Sequence, residues 1–173
     1  MFNYTCFQYC PKCGGSELIA WHQKGMRCAT CQFVYFHNSA AAVAGIIETD
    51  AGIVLTQRAI EPKFGSLDLP GGFVDYNESF EQALAREIQE ELGAEAFDFR
   101  YVGSFSNVYE YGGVTYFTVD AVFACQANHL PEQVVNDEVA AIEIVNLDEF
   151  DIERMAFHSL KAALQQYRKI RAR

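Results

Sequence analysis

The chain has 173 residues, half of them hydrophobic and 14% aromatic, with a formal net charge of −10. This composition supports a buried core and excludes a disordered chain, while the acidic balance opposes general binding to nucleic-acid backbones or anionic membranes. No apolar run reaches the ~18 residues of a membrane span. The N-terminus, Met1-Phe2-Asn3-Tyr4-Thr5-Cys6, lacks the basic and apolar regions of a signal peptide, so cytoplasm is the expected compartment. The length suits one main domain with a small module.

The module is expected over residues 1–37. Four of the six cysteines form Cys10-Pro11-Lys12-Cys13 and Cys28-Ala29-Thr30-Cys31, with fourteen residues between the pairs. Two tight thiol pairs with Leu18, Ile19, Trp21, Phe33 and Tyr35 between and after them read as a ribbon of short strands. One tetrahedral Zn²⁺ would pin it. Four thiolates leave no open position, which makes the ion structural. Redox-active disulfides would need two independent explanations. Cys6 reads as a bystander and Cys125 as a small buried hydrophobe. With four cysteines present, neither His22 nor His37 is needed as a ligand.

The second domain is expected over residues 38–173. Residues 40–48 and 53–58 read as two strands of a hairpin around Asp50-Ala51-Gly52. A loop with Pro62, Gly65, Pro70 and Gly71-Gly72 follows. Residues 79–93 read as a helix: Ser79 and Gln82 fit a capping box, and Gly93 fits the position past the end. Residues 97–105, 114–125 and 139–145 read as strands, with a turn at Tyr111-Gly112-Gly113. A last helix is expected from about 153 to 171, with Met155, Leu160, Leu164 and Tyr167 turned to the core and a basic end. The fold class is therefore α/β (α+β), a mixed sheet sandwiched by helices.

The helix at 79–93 carries the chemistry. At ~100° per residue, Glu87, Glu90 and Glu91 fall within an arc of about 100° that overlaps the apolar stripe of Phe80, Ala83, Leu84, Ile88 and Leu92. Like charges at these spacings repel by roughly 0.2–0.5 kcal/mol per pair, and desolvation makes this worse. Such a cluster becomes favourable when hard divalent cations sit among the oxygens, which suits Mg²⁺ or Mn²⁺. Glu90-Glu91 alone would read as a solvated helix face.

The wider pattern decides between these readings. It runs Gly72, five residues, Glu78, seven residues, then Arg86-Glu87-Ile88-Gln89-Glu90-Glu91-Leu92-Gly93-Ala94. This resembles the Nudix box, with Ala94 standing where a larger aliphatic residue is usual. The approach, Leu67-Asp68-Leu69-Pro70-Gly71-Gly72-Phe73-Val74-Asp75, is similar too. The resemblance implies an α/β/α sandwich and an enzyme, a pyrophosphohydrolase that splits a nucleoside diphosphate linked to another moiety. ADP-ribose and dinucleotides are the leading candidates. It further implies that Glu87, Glu90, Glu91 and the Gly72 carbonyl hold Mg²⁺ or Mn²⁺, and that Arg86 and Glu78 pair to brace the loop. A further acid often comes from a late loop. Glu138, in Asn136-Asp137-Glu138, fits that place, with a solvated loop acid as the equal alternative.

A zinc ribbon ahead of such a domain resembles the NADH pyrophosphatases. Their Ser-Gln-Pro-Trp-Pro-Phe-Pro segment is replaced here by Gly103-Ser104-Phe105-Ser106-Asn107-Val108-Tyr109-Glu110-Tyr111, so NADH specificity is not supported. The expected partner is a small nucleotide-derived substrate, with no membrane and with nucleic acid disfavoured. The alternative is a ligand-sensing module whose ribbon serves as a nucleic-acid or protein adaptor. Lys12, Lys24 and Arg27 are too few for a convincing phosphate-binding stripe. The ribbon's aromatic content also leaves homodimerisation open.

Overall fold

A computed structural model describes residues 7–134 and 137–172; Cys6, Asn136 and Arg173 lie outside the described residues. The chain forms two compact units. The first takes residues 7–39 and also Val108–Phe117, a segment that the sequence reading assigns to the second domain. The second begins at Ala40 and takes the remainder.

In the first unit, β1 (Leu18–Trp21), β2 (Gly25–Cys28) and β3 (Val34–Phe36) form an antiparallel sheet in that order. The two cysteine turns are built alike. Cys10 N–H donates to the Gly15 carbonyl, as Cys28 N–H does to that of Phe33; Gly14 N–H returns to Cys10, as Gln32 N–H does to Cys28. The fourth residue after each leading cysteine, Gly14 and Gln32, has a positive φ. These turns satisfy their own backbone groups and aim their sulfurs inward.

The second unit is built on a mixed sheet. β4 (Ala40–Thr49) pairs in parallel with β8 (Val114–Ala127), from Ala40 opposite Thr118 to Ile47 opposite Cys125. β7 (Ala96–Tyr111) lies beyond β8, and Gly112-Gly113 joins the two. β5 (Gly52–Arg58) meets β4 only at the hairpin tip, Glu48 opposite Ile53 and Thr49 opposite Gly52. It then diverges to pair with β6 (Leu67–Asp68) and β9 (Val139–Val145). The apolar alternation of 40–48 and 53–58 signals a hairpin, but most of each strand finds another partner.

Alternation along the strands feeds two cores. Val43, Ile47, Ala121, Phe123 and Cys125 face α1 (Phe80–Leu92) through Ala83, Leu84, Ile88 and Leu92. Ala44, Ile46, Val122 and Ala124 face α2 (His158–Arg171) through Leu160, Ala163, Leu164 and Tyr167. Burial on both faces explains why β4 is a run of small and aliphatic residues. A β-carbon at Gly45 would crowd the Leu84 and Ile88 methyls at 3.2 Å, so the glycine lets α1 lie close.

The last helix starts later than the sequence predicts. Ile152–Arg154 form a short 3-10 turn, and the chain then extends: Met155 bridges to Leu67, and Ala156 N–H donates to the Leu67 carbonyl at 2.7 Å. Pairing with β6 keeps these residues out of the helix, yet Met155 stays buried with Leu160, Leu164 and Tyr167. Among the described residues no helix is long and apolar enough to cross a membrane.

Candidate active site and metal-binding cysteines

Local rules position α1. Ser79 caps it reciprocally, accepting from Gln82 N–H at 3.3 Å while Ser79 N–H donates to Gln82 Oε1 at 2.8 Å. Gly93 closes it in the left-handed conformation, φ 66°. The buried side is Ala83, Leu84, Glu87, Ile88 and Leu92. Glu87 thus shares the apolar stripe, while Glu90 leaves 60% of its side chain exposed.

The glycine loop runs alongside β4. Gly45 N–H donates to the Pro70 carbonyl at 2.8 Å, Val43 N–H to the Gly72 carbonyl at 2.9 Å, and Val74 N–H to the Ala41 carbonyl at 3.1 Å. Gly71 has φ 148°, and a β-carbon there would strike the Val43 carbonyl, so only glycine fits. Its N–H donates to Glu91 Oε2 at 3.1 Å. A β-carbon at Gly72 would lie 2.5–2.9 Å from the Glu87 carboxylate. The Gly72 carbonyl, expected as a ligand, already accepts from Val43 and keeps one lone pair.

Arg86 organises the rest. Nε and Nη2 donate to the two Glu78 oxygens at 2.9 and 3.0 Å. Nη1 donates to Glu87 Oε1 at 2.9 Å and Glu90 Oε2 at 3.1 Å, and Nη2 also donates to the Phe73 carbonyl at 3.0 Å. All five guanidinium hydrogens have acceptors. The arginine expected to brace Glu78 therefore also sits between two of the expected metal ligands. It holds the Glu78 carboxyl below its ordinary range, and Glu78 in turn accepts from Asp75 N–H at 3.1 Å.

Burial sets the electrostatics of the other acids. It pushes Glu91 up to about 9, against the opposing pull of the Gly71 N–H and with support from the charges of Asp68, Glu87 and Glu138. Glu87 is raised too, again chiefly by burial, with Arg86 opposing. Glu138 lies near enough for its charge to act on both, and its carbonyl accepts from Ala59 N–H at 2.8 Å.

Three further groups that no sequence motif marks connect to this cluster through Asp68, whose charge acts on Glu91 and which Arg58 and Asp120 influence in turn. Asp68 is buried and titrates near 6 because burial outweighs its ion pair with Arg58 at 2.6 Å. Arg58 also donates to the Pro62 carbonyl at 2.8 Å and stacks over Phe157. Asp120 is 6% exposed and accepts from Thr118 Oγ1 at 2.6 Å. The available signal was an aspartate inside an apolar strand run, Val119-Asp120-Ala121-Val122, which is costly unless the site uses it.

The donor set fits hard divalent cations. Glu91 accepts from the Gly71 N–H, and Glu87 shares the Arg86 guanidinium with Glu78 and Glu90. Three carboxylates thus share one guanidinium, and the Glu87 charge also acts on Glu91, a clustering of oxygens that suits hard divalent ions. Among the described residues, a tight ligand cluster forms only at Cys10, Cys13, Cys28 and Cys31, whose sulfurs lie within 4.8 Å of one another. Cys10–Cys31 and Cys13–Cys28 are each 3.7 Å apart. Sulfurs about 2.3 Å from a central ion at tetrahedral corners would be about 3.8 Å apart. The Cys28 thiol falls to about 6, chiefly through the Cys31 N–H and then that of Thr30. The Cys13 thiol rises to about 12: Gly15 N–H favours its thiolate, but contact with Cys31 and the other sulfurs prevails. Cys125 is buried beside Gly45.

The chain is similar to known proteins in sequence and in fold. The NUDIX domain model matches residues 37–166. A NUDIX hydrolase from Nitrosomonas europaea superposes with a TM-score of 0.74 at 25% identity, covering 96% of this chain and 93% of that one. A MutT NUDIX hydrolase from Burkholderia pseudomallei gives 0.65 at 28% identity, covering 75% and 98%. Among curated relatives, the NAD-capped RNA hydrolase NudC of Vibrio atlanticus is 31% identical over 97 residues, 56% of this chain and 36% of that protein. Its Escherichia coli counterpart is 33% identical over 101 residues, 58% and 39%. The matched stretch thus spans little more than a third of those relatives.

Proposed function

This chain belongs to the NUDIX family, and we propose that it hydrolyses the diphosphate bond of a nucleoside diphosphate joined to another moiety, using Mg²⁺ or Mn²⁺. The observation that carries the reading is Glu87 and Glu91, two carboxylates at the family's box positions, both desolvated and both within reach of the Glu138 charge, with Asp68 acting on Glu91 as well. Glu87, Glu90, Glu91 and the remaining lone pair of the Gly72 carbonyl would hold the cations. When bound, these supply positive charge to the phosphate oxygens and lower the pKa of a water. Arg86 and Glu78 hold the loop against α1, which keeps Gly72 in register with Glu87. Glu138 is the candidate to accept the proton released by an attacking water. The four cysteines would hold a structural Zn²⁺, in a ribbon of residues 1–37 ahead of a catalytic domain of residues 38–173.

ADP-ribose and dinucleotides are the leading substrates. The NudC relatives are named for NAD-capped RNA; that cap also holds a diphosphate between two nucleosides, so it belongs in the same screen. The test is turnover of such compounds with Mg²⁺ or Mn²⁺ and identification of the products. The expected result is cleavage between the phosphates, lost in Glu90→Gln. A panel without turnover, or a fully active Glu90→Gln, would sink the reading.

A further inference from the structure

The first unit contains a pocket of about 720 Å³ that includes none of the carboxylates described above. Its apolar part is Phe36 and the half-buried Phe117, with His22 and His37 also in the lining. Phe36 leaves 46% of its surface exposed, and His37 meets Phe117 edge-on, ring centroids 6.4 Å apart. Its polar part is Lys24, Gln23 and Ser39. In a chain of net charge −10, this lining has a cation, hydrogen-bond donors and no carboxylate.

The fold builds the rim deliberately. β1 and β2 meet in a tight turn, Trp21 opposite Gly25, in which His22 takes φ 55°, an uncommon conformation for a residue with a side chain. A β-carbon at Gly25 would press on the carbonyls of Trp21 and Tyr35 at 2.9 Å. His37 N–H closes the structure on the Lys24 carbonyl at 2.7 Å. The turn thereby presents residues 22–24 opposite β3 and the segment that carries Phe117.

Exposed aromatic faces bind flat heteroaromatic rings, and a lysine with hydroxyl and amide donors binds phosphate. The volume lies within the usual range for small-molecule sites. We propose that this pocket binds a nucleoside monophosphate, its base against Phe36 and Phe117 and its phosphate toward Lys24. This does not depend on the hydrolytic reading, since such a ligand contains no diphosphate bond.

Trp21 is the sole tryptophan, and its ring meets that of His22 edge-on with centroids 5.0 Å apart. Its fluorescence therefore reports on this pocket. The experiment titrates AMP, adenosine and ribose 5-phosphate into the full chain without added divalent metal, and repeats this with Phe36→Ala, Lys24→Gln and Glu87→Gln. We expect saturable binding of AMP, with both fragments weaker. Phe36→Ala weakens AMP by about 5- to 150-fold, Lys24→Gln by about two- to fivefold, and Glu87→Gln leaves it unchanged. Lys24 is exposed, so its variant keeps the test valid should Phe36→Ala fail to fold. Three results overturn the proposal: no saturable response, ribose 5-phosphate binding as well as AMP, or AMP binding lost in Glu87→Gln but kept in Lys24→Gln.

Discussion

Replacing Gly72 by alanine adds one methyl group at the point where the loop touches the helix. The new carbon would lie 2.5 Å from Glu87 Oε1, 2.7 Å from its Cδ and 2.9 Å from Oε2, whereas ordinary contact begins at 3.4 Å. Gly72 does not have a positive φ, so alanine is compatible with the backbone and the perturbation is steric. The carboxylate must retreat by roughly 1 Å, away from a position that Arg86 Nη1 fixes at 2.9 Å. Overpacking of this size costs about 1–3 kcal/mol of stability. A displacement of about 1 Å at a catalytic centre costs on the order of 10²-fold in rate. The assay is kcat and KM on a substrate the wild type cleaves, with a Mn²⁺ titration and a thermal melt alongside. We expect a folded protein with kcat reduced about a hundredfold and weaker metal dependence. Combining it with Glu87→Asp, which shortens the side chain by one methylene, should recover part of the loss. A Gly72→Ala protein with wild-type kcat would refute the idea that this contact sets the position of Glu87.

Arg86→Lys keeps the charge but not the five-way fork; a stability loss of about 1–3 kcal/mol and a fall in turnover are expected, read by denaturant unfolding and initial rates. Without metal, the folded chain holds a proton on Glu91 up to about 9, whereas an unfolded glutamate releases it near 4.5. Between those values the folded state binds more protons, so its contribution to stability falls as pH rises. The melting temperature of the metal-free chain should decline across that window. Mg²⁺ should restore more at pH 8 than at pH 6, and Glu91→Gln should flatten the decline while abolishing turnover. Metal analysis should find one zinc per chain. A strong chelator should turn Cys10, Cys13, Cys28 and Cys31 from protected to thiol-reagent-accessible; thiols that react at the same rate beforehand would count against the site.

What could be read from the chain itself was local. The capping box of Ser79 and Gln82, the closing Gly93 and the spacing of Gly72, Glu78 and Arg86 to the three glutamates depend on backbone rules and helix periodicity within a few turns. The same holds for the two cysteine turns, which complete their hydrogen bonds within six residues. Those signals sufficed to identify the family and to single out the carboxylates on the edge of a buried stripe.

What depended on tertiary structure was long-range. β4 and β5 carry the signals of a hairpin, but the parallel pairing of Ala40–Ile47 with Thr118–Cys125 is a choice among sheet partners that no local pattern encodes. That pairing, together with β6, buries Asp120 and Asp68, the latter near enough for its charge to act on Glu91, and Arg58 follows from the end of β5. Met155 and Ala156 have helix-compatible identities, yet bonds to Leu67 hold them extended. Val108–Phe117 has no sequence feature in common with the cysteine ribbon and still groups with it. Nearby residues limit each other through φ, ψ and side-chain spacing, which a sequence displays directly. Residues tens of positions apart meet only when burial of two sheet faces selects one arrangement.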